Sequence, residues 1–194
     1  MQYNIFGNIA EIGVFHGKFF MPLASCQRDG EYAFAVDIFE RQFENVSGSG
    51  TGSFPHFAGN IANIIPNAHI CVLKENSLNL RGNTSLFTFN GLKVRMFSVD
   101  GGHDYHEAMS DLKIADEVLH EHGVIIVDDF QHIGWYSVYM ATMDFMAASG
   151  YVPFAMGGNK LFICKAPAID RYAHDGLTHD EYYDTINNDP TRNK

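Results

Sequence analysis

Cysteine is scarce in this 194-residue sequence, which contains only Cys26, Cys71 and Cys164. None of the three forms a C-x-x-C pair, which argues against a disulfide scaffold and against a cysteine-rich zinc site. Basic residues are few as well, because 13 Lys and Arg face 23 Asp and Glu, for a formal net charge of −10. An acidic chain is repelled by nucleic acid and by anionic lipid, so we expect neither nucleic acid nor membrane as a partner.

Long uncharged apolar runs are also missing, since none approaches the roughly 20 residues that cross a bilayer. The N-terminus has no basic segment followed by an apolar stretch, and with the unpaired cysteines this predicts a cytoplasmic protein. Hydrophobic residues make up 46% of the chain and charged residues 19%. This balance predicts a globular core, because disorder requires few apolar residues and high charge.

Short apolar segments alternate along the chain with segments of helical periodicity. Strands are predicted at 8–12, 32–39, 69–73, 94–99 and 123–127, helices at 18–27, 53–65, 104–120 and 135–148, and an antiparallel pair at 154–156 and 161–164. The alternation predicts an α/β, Rossmann-like, doubly wound seven-stranded sheet that is mostly parallel and ends in a C-terminal antiparallel hairpin. In such sheets, ligands bind beyond the carboxyl ends of the strands.

Two segments stand apart from this pattern. Residues 1–166 are predicted to form one domain, and 167–194 a polar C-terminal tail, which either carries a short helix around Asp180 to Ile186 or stays partly disordered. The segment Ser47 to Ser53 (SGSGTGS) is interpreted as a solvated connection rather than a phosphate cradle, because it lacks the Lys-Ser/Thr ending of a P-loop.

A glycine turn follows the first strand, in the run Glu11-Ile12-Gly13-Val14-Phe15-His16-Gly17. Glycines allow backbone to approach a ligand, and Glu11 suits a cationic ligand group better than a pyrophosphate. Asp37 ends the second strand, where a carboxylate accepts both ribose hydroxyls of a nucleoside. The alternatives are an ordinary strand–turn–helix corner for the glycine turn and a helix-capping role for Asp37.

Acidic residues also follow the fourth and fifth strands, in Val99-Asp100-Gly101-Gly102-His103 and in Val127-Asp128-Asp129-Phe130. Both runs reach the same edge of the sheet, so Asp100, Asp128 and Asp129 are expected close together, where they repel unless a cation compensates. Carboxylates without thiolates suit Mg²⁺, Mn²⁺ or Ca²⁺, and His103 is placed to act as a general base beside the metal. The alternative is that Asp128-Asp129 caps a helix near Gly134.

These motifs, in this order, resemble the class I S-adenosylmethionine-dependent methyltransferases over about residues 8 to 165. More narrowly, E-x-G-x-x-x-G, Asp37, V-D-G-G-H-x-Y and I-I-V-D-D-F resemble the small metal-dependent O-methyltransferases of the methyltransferase 24 type. Macrocin-type sugar O-methyltransferases are relatives of that family, and catechol O-methyltransferase is a more distant one.

The resemblance implies a role for each matching position. Glu11, Gly13 and Gly17 match the methionine-binding loop, Asp37 the ribose-binding acid, and Asn76 and Ser77 positions beside the adenine. Asp100, Asp128 and Asp129 match the metal ligands, and Asp100 also lies near the methionine end of the cofactor. His103 matches the slot of a basic catalytic residue.

The resemblance departs from the family at the N-terminus, where only seven residues precede the first strand and relatives usually have covering helices. We therefore expect a truncated or minimal form, in which a homodimer partner supplies cover. The function implied is transfer of a methyl group from S-adenosylmethionine to a hydroxyl of a small molecule, a sugar or a secondary metabolite, assisted by Mg²⁺. The alternatives are a nicotinamide-dependent oxidoreductase, disfavoured because GxGxxG is missing, and a non-catalytic binding domain of the same fold.

Overall fold

The computed structural model describes residues 5–173, and the structural statements below concern these residues. The strands are β1 (Asn8–Ile12), β2 (Ala33–Val36), β3 (Ile70–Leu73), β4 (Val94–Val99), β5 (Leu119–Val127), β6 (Tyr151–Gly157) and β7 (Lys160–Lys165). The α-helices are α1 (Phe20–Ala24), α2 (Phe54–Ile64), α3 (Tyr105–Val118), α4 (Tyr136–Ser149) and α5 (Ile169–Ala173). The helix predicted around Asp180 lies outside the described residues.

The seven strands form one sheet in the order β3-β2-β1-β4-β5-β7-β6. The first five strands pair in parallel, and β7 pairs antiparallel with both β5 and β6. The predicted doubly wound sheet with a C-terminal antiparallel hairpin is confirmed. The order reverses at β1, and such a switch point is where this class of sheet opens a crevice for ligands.

Two apolar layers cover the sheet. On one face, Phe97 and Ile125 pack with α3 and α4 through residues such as Leu112 and Phe145. On the other face, Ile9 and the neighbouring strands pack with α1 and α2 through residues such as Phe20 and Phe57. Burial on both faces explains why the central strands read as continuous apolar runs rather than as alternating ones.

Several element boundaries differ from the predicted ones. Helix α1 is five residues long, whereas a helix over 18–27 was expected. Helix α3 ends at Val118 and β5 begins at once with Leu119, four residues before the predicted start at Gly123. Helix α5 lies within the segment predicted as a polar tail. It packs against the sheet, since Tyr172 stacks on Phe154 of β6 at 4.6 Å between ring centroids. Among the described residues, no helix is long and apolar enough to cross a membrane.

Candidate active site

The parallel strands end in register. Ile12 of β1 lies opposite Val36 of β2 and Val99 of β4, and Val99 lies opposite Val127 of β5. Each strand is followed by a residue singled out from the sequence, namely Gly13, Asp37, Asp100 and Asp128. The register therefore brings the predicted site residues to one edge of the sheet.

The glycine turn after β1 requires glycine at position 13. Gly13 has a φ of 87°, and a Cβ there would lie 1.7 Å from the backbone oxygen of Asp100. Asp100 N in turn donates to Ile12 O at 2.9 Å, so β1 and β4 are joined at their carboxyl ends. Gly17 also has a positive φ, of 88°, but it packs against Phe57 and does not line the cleft described below.

Asp37 braces the turns around the strand ends. Its carboxylate accepts hydrogen bonds from Phe15 N at 2.7 Å and from Phe39 N at 2.6 Å, and both of these residues have a positive φ. Burial raises the pKa of Asp37, and the two backbone bonds oppose that rise. The side chain thus supports the turn over the cleft, and neither bond caps an α-helix.

Asn76 and Ser77 follow β3 and line the same cleft. The Asn76 side chain accepts from Leu78 N at 3.0 Å and begins a short 3₁₀ helix, Ser77–Leu80. Ser77 lies beside Asp111 of α3, a fully buried carboxyl that has no hydrogen-bond partner on either oxygen. Burial raises the pKa of Asp111 to about 7, and the nearby Ser77 hydroxyl opposes the rise.

Three acids lie at the ends of the three central strands, and they are called here the buried acid cluster: Glu11, which is buried, and Asp100 and Asp128, which are half-buried. Ser98 Oγ donates to Glu11 Oε1 at 3.0 Å, while Glu11 Oε2 is buried without a partner. Burial, above all, raises the pKa of Glu11 to about 8 and that of Asp100 to about 9, and the neighbouring carboxyls add to both shifts.

Lys160 of β7 supplies a positive charge to this cluster. Its ammonium lies 2.5 Å from Asp128 Oδ2 and 3.9 Å from the ring centroid of Phe19. Asp128 also accepts from Asp129 N at 2.8 Å, and its charge adds to the raised pKa of Asp100. With three acids around one lysine, the cluster holds protons at neutral pH and suits a further cationic group.

A second group, called here the histidine corner, consists of Ser47, Ser49, His103, Asp129 and Trp135. His103 Nε2 lies 2.8 Å from Asp129 Oδ2, and its Nδ1 lies 2.9 Å from Ser49 Oγ. The indole of Trp135 stacks on the imidazole at 4.5 Å between centroids. His103 is therefore held at both ring nitrogens and on its face.

Asp129 points away from Asp128 because its backbone is left-handed, with a φ of 55°. Its Oδ1 accepts from Asn159 Nδ2 at 2.5 Å, and His103 lowers the pKa of its carboxyl by hydrogen bonding and by charge. The alternative helix-capping role for the Asp pair does not hold, since His132 Nδ1 accepts from Gly134 N at 3.2 Å instead.

Among the described residues, one group of side chains could hold a metal ion. Ligand atoms of Asp100, His103 and Asp129 all lie within 4.8 Å of one another. Carboxylate oxygens with one imidazole suit Mn²⁺ and related divalent ions. The sequence predicted Asp128 in this set, but its carboxylate is engaged by Lys160, and the set contains His103 instead.

Residues of the glycine turn, of the buried acid cluster and of the histidine corner line one open cleft of about 330 Å³. Of the residues predicted from the sequence, Gly13, Asp37, Asn76, Ser77, Asp100, His103 and Asp129 line it. Glu11, Gly17 and Asp128 do not line it. The cleft is also lined by Ser47, Ser49 and Trp135, which the sequence analysis did not assign to the site. The position of Trp135, soon after the Asp pair, was the available signal for that residue.

A family model described as a methyltransferase domain, of the methyltransferase 24 type, matches residues 10–130. This match spans the glycine turn, both acidic strand ends and His103. The chain belongs to this methyltransferase family. The methyltransferase is accordingly an enzyme whose methyl donor is S-adenosylmethionine, and the nicotinamide-dependent alternative is set aside. A sequence comparison with curated proteins finds no match.

Solved structures of O-methyltransferases share the fold of this methyltransferase. The O-methyltransferase NovP superposes with a TM-score of 0.60 at 13% identity, over 84% of this chain and 73% of that one. The apo TDP-rhamnose 3'-O-methyltransferase CalS11 gives a TM-score of 0.62 at 11% identity, over 84% and 74%. The Bacillus cereus O-methyltransferase in complex with SAH gives 0.56 at 16% identity, over 80% and 72%.

Proposed function

We propose that this methyltransferase transfers a methyl group from S-adenosylmethionine to a hydroxyl of a small molecule, with a divalent cation held by Asp100 and Asp129. The observation that carries the proposal is the convergence of Asp100, His103 and Asp129 within 4.8 Å at the wall of the cleft. That O-methyltransferases are among the structural neighbours supports oxygen as the acceptor atom.

The cofactor would lie along the strand ends. Gly13 provides backbone without a side chain, Asp37 faces the ribose, and Asn76 and Ser77 face the adenine. The buried acid cluster, with Glu11 Oε2 unpartnered, favours the positively charged methionine end. This arrangement fits a ligand that is neutral at its adenine end and cationic at its methionine end.

His103 would take the proton from the acceptor. Asp129 holds Nε2, and Nδ1 faces the serine side of the cleft, where the acceptor hydroxyl would share it with Ser49 in place of the more distant Ser47. When bound, Mg²⁺ or Mn²⁺ lowers the pKa of the acceptor hydroxyl and orients it. As the O–CH₃ bond forms, the S–CH₃ bond breaks, the proton moves to His103, and S-adenosylhomocysteine remains. Base catalysis of this kind contributes typically about 10² to 10⁴ in rate.

Calorimetric titration with S-adenosylhomocysteine, in Mn²⁺ and in chelator, tests this proposal without a known acceptor. Micromolar binding that strengthens with Mn²⁺ is expected for the wild type and for Asp29→Ala, a control at an exposed acid. Asp100→Ala should abolish the Mn²⁺ effect. Binding that ignores Mn²⁺ would contradict the metal assignment, and no binding at all would favour a non-catalytic domain. Release of S-adenosylhomocysteine with panels of phenols and sugars would then identify the acceptor.

A further inference from the structure

The serine loop, defined as residues 45–52, runs over the cleft between its two functional ends. It is glycine- and serine-rich, and composition alone predicts a solvated connection. In the structure, Ser47, Ser49, Gly50 and Gly52 instead line the cleft.

At one end, the serine loop holds His103. Ser49 Oγ lies 2.9 Å and Ser47 Oγ 3.3 Å from Nδ1 of the imidazole, and the two hydroxyls lie 2.9 Å apart. A hydroxyl both donates and accepts, so these contacts persist in either neutral tautomer of the ring. Both serines are half-buried, which shields their hydrogen bonds from competition by water.

At the other end, the serine loop closes on Asp37. Gly52 is buried, and a Cβ there would lie 3.0 Å from Asp37 Oδ1 and 3.2 Å from Phe39 Cα. A Cβ at Gly50 would lie 3.6 Å from the ring of Phe15. The serine loop therefore spans from the carboxylate expected at the ribose to the base expected at the acceptor.

Asn45 gives the serine loop an internal scaffold. Its side-chain nitrogen donates to Ser49 O at 2.9 Å and Gly50 O at 3.1 Å, and its side-chain oxygen accepts from Gly48 N at 3.0 Å. Because backbone of the loop is bonded to one side chain, the loop keeps a defined shape over the cleft.

We propose that the serine loop is the cover of the cofactor cleft, and that Ser49 is a positioning residue that fastens this cover to His103. The inference rests on the proposed function, since the covered ligand is the methyl donor. A cover of this kind slows exchange of the cofactor and keeps water from the reacting atoms. Ser49 contributes by holding the imidazole from the side opposite to Asp129.

The single tryptophan of the chain, Trp135, provides a local reporter because it stacks on His103. Stopped-flow fluorescence can follow dissociation of S-adenosylhomocysteine from the wild type and from Ser49→Ala, Ser49→Thr and Thr51→Ala. Thr51 is the matched control, because its side chain is exposed within the same loop.

Ser49→Ala should release S-adenosylhomocysteine about three- to tenfold faster, the equivalent of one lost hydrogen bond. Ser49→Thr keeps the hydroxyl and should restore the slow rate, while Thr51→Ala should match the wild type. Hydrogen exchange across 45–52 should slow on binding in the wild type and slow less in Ser49→Ala.

Equal dissociation rates in Ser49→Ala and Thr51→Ala would overturn the inference. Slower dissociation in Ser49→Ala would also overturn it, because Ser49 would then compete with the ligand rather than cover it. If the wild type bound no S-adenosylhomocysteine, the proposed function would itself fail, and the inference with it. If the wild type binds S-adenosylhomocysteine and Ser49→Ala releases it at the wild-type rate, only the inference about the serine loop fails and the proposed function stands.

Discussion

Asp128 and Asp129 are adjacent in the sequence, but they belong to different groups in the structure. Asp128 lies in the buried acid cluster, where it contacts Lys160 and its charge adds to the raised pKa of Asp100. Asp129 lies in the histidine corner, bonded to His103 and Asn159. The left-handed backbone at Asp129 turns the two side chains in different directions.

The two groups differ in the balance of charge. In the buried acid cluster, burial and mutual repulsion raise the pKa of Glu11 and of Asp100, because one lysine serves three acids. In the histidine corner, one carboxylate has two donors, and its pKa is lowered. A group of acids with too few cations can therefore bind a further cation. A group whose charges are paired instead holds its side chains in a defined orientation.

Removing Lys160 should disturb this comparison most. Lys160→Met leaves the half-buried Asp128 without its cation beside two further acids, and we expect a loss of about 3 kcal/mol in the free energy of unfolding. Urea denaturation in chelator measures it. The matched control is Lys165→Met, whose partner Asp116 is half-exposed, and it should cost less than about 1 kcal/mol. A similar loss in both variants would show that Lys160 is not the needed cation.

The raised pKa of Glu11 predicts how stability depends on pH. The folded state holds this proton up to about pH 8, whereas the unfolded state releases it near 4.5. Stability is therefore complete below the unfolded pKa and falls as pH rises from 4.5 to 8, by on the order of 5 kcal/mol. Glu11→Gln should flatten that fall when thermal unfolding is followed at pH 5 and pH 9. An unchanged slope would show that Glu11 does not carry it.

Metal binding should separate the two adjacent aspartates. Asp129→Ala should weaken Mn²⁺ binding by more than about 100-fold, because it removes a ligand of the cation. Asp128→Ala should weaken it by about tenfold, because Asp128 lies outside the set of ligands. Electron paramagnetic resonance of Mn²⁺ titrations gives both affinities. The reverse order of the two effects would assign the cation to the buried acid cluster.

The smallest effect is expected from the stacking in the histidine corner. Trp135→Phe reduces the ring surface that faces His103 and should lower the free energy of unfolding by about 0.5 to 1.5 kcal/mol. Tyr136→Phe is the control, because Tyr136 is 63% exposed, and it should stay within about 0.5 kcal/mol of the wild type. Equal values for the two variants would mean that the stacking adds no stability.

Much of the fold was predictable from local patterns. The bounds of β1 and β4 agree with the predicted ones, because their apolar runs end at glycine or at an acid. The early start of β5 was not predictable, since residues 119–122 continue the helical pattern of α3. There, pairing of Leu119 with Val94 of β4 outweighs the local helical preference.

The residues of the candidate site likewise fall into those that the sequence identified and those that it did not. The acids at the strand ends were identifiable because parallel strands carry the residues that follow them to one edge of the sheet. The position of the serine loop at the cleft was not predictable, because the contact between Ser49 and His103 joins residues 54 positions apart and leaves no local trace. Asn159 and Lys160 were missed for a similar reason, since the hairpin before β7 returns them to the acids about 30 residues earlier.

The sequence by itself determined the alternation of strands and helices, the glycine turn and the order of the acidic strand ends, because each depends on neighbours within a few residues. Only the tertiary structure decided which carboxyl meets Lys160, which meets His103, and what covers the cleft. Those outcomes depend on burial and on contacts between distant segments, and the pKa of a carboxyl follows the cation it meets rather than its place in a motif.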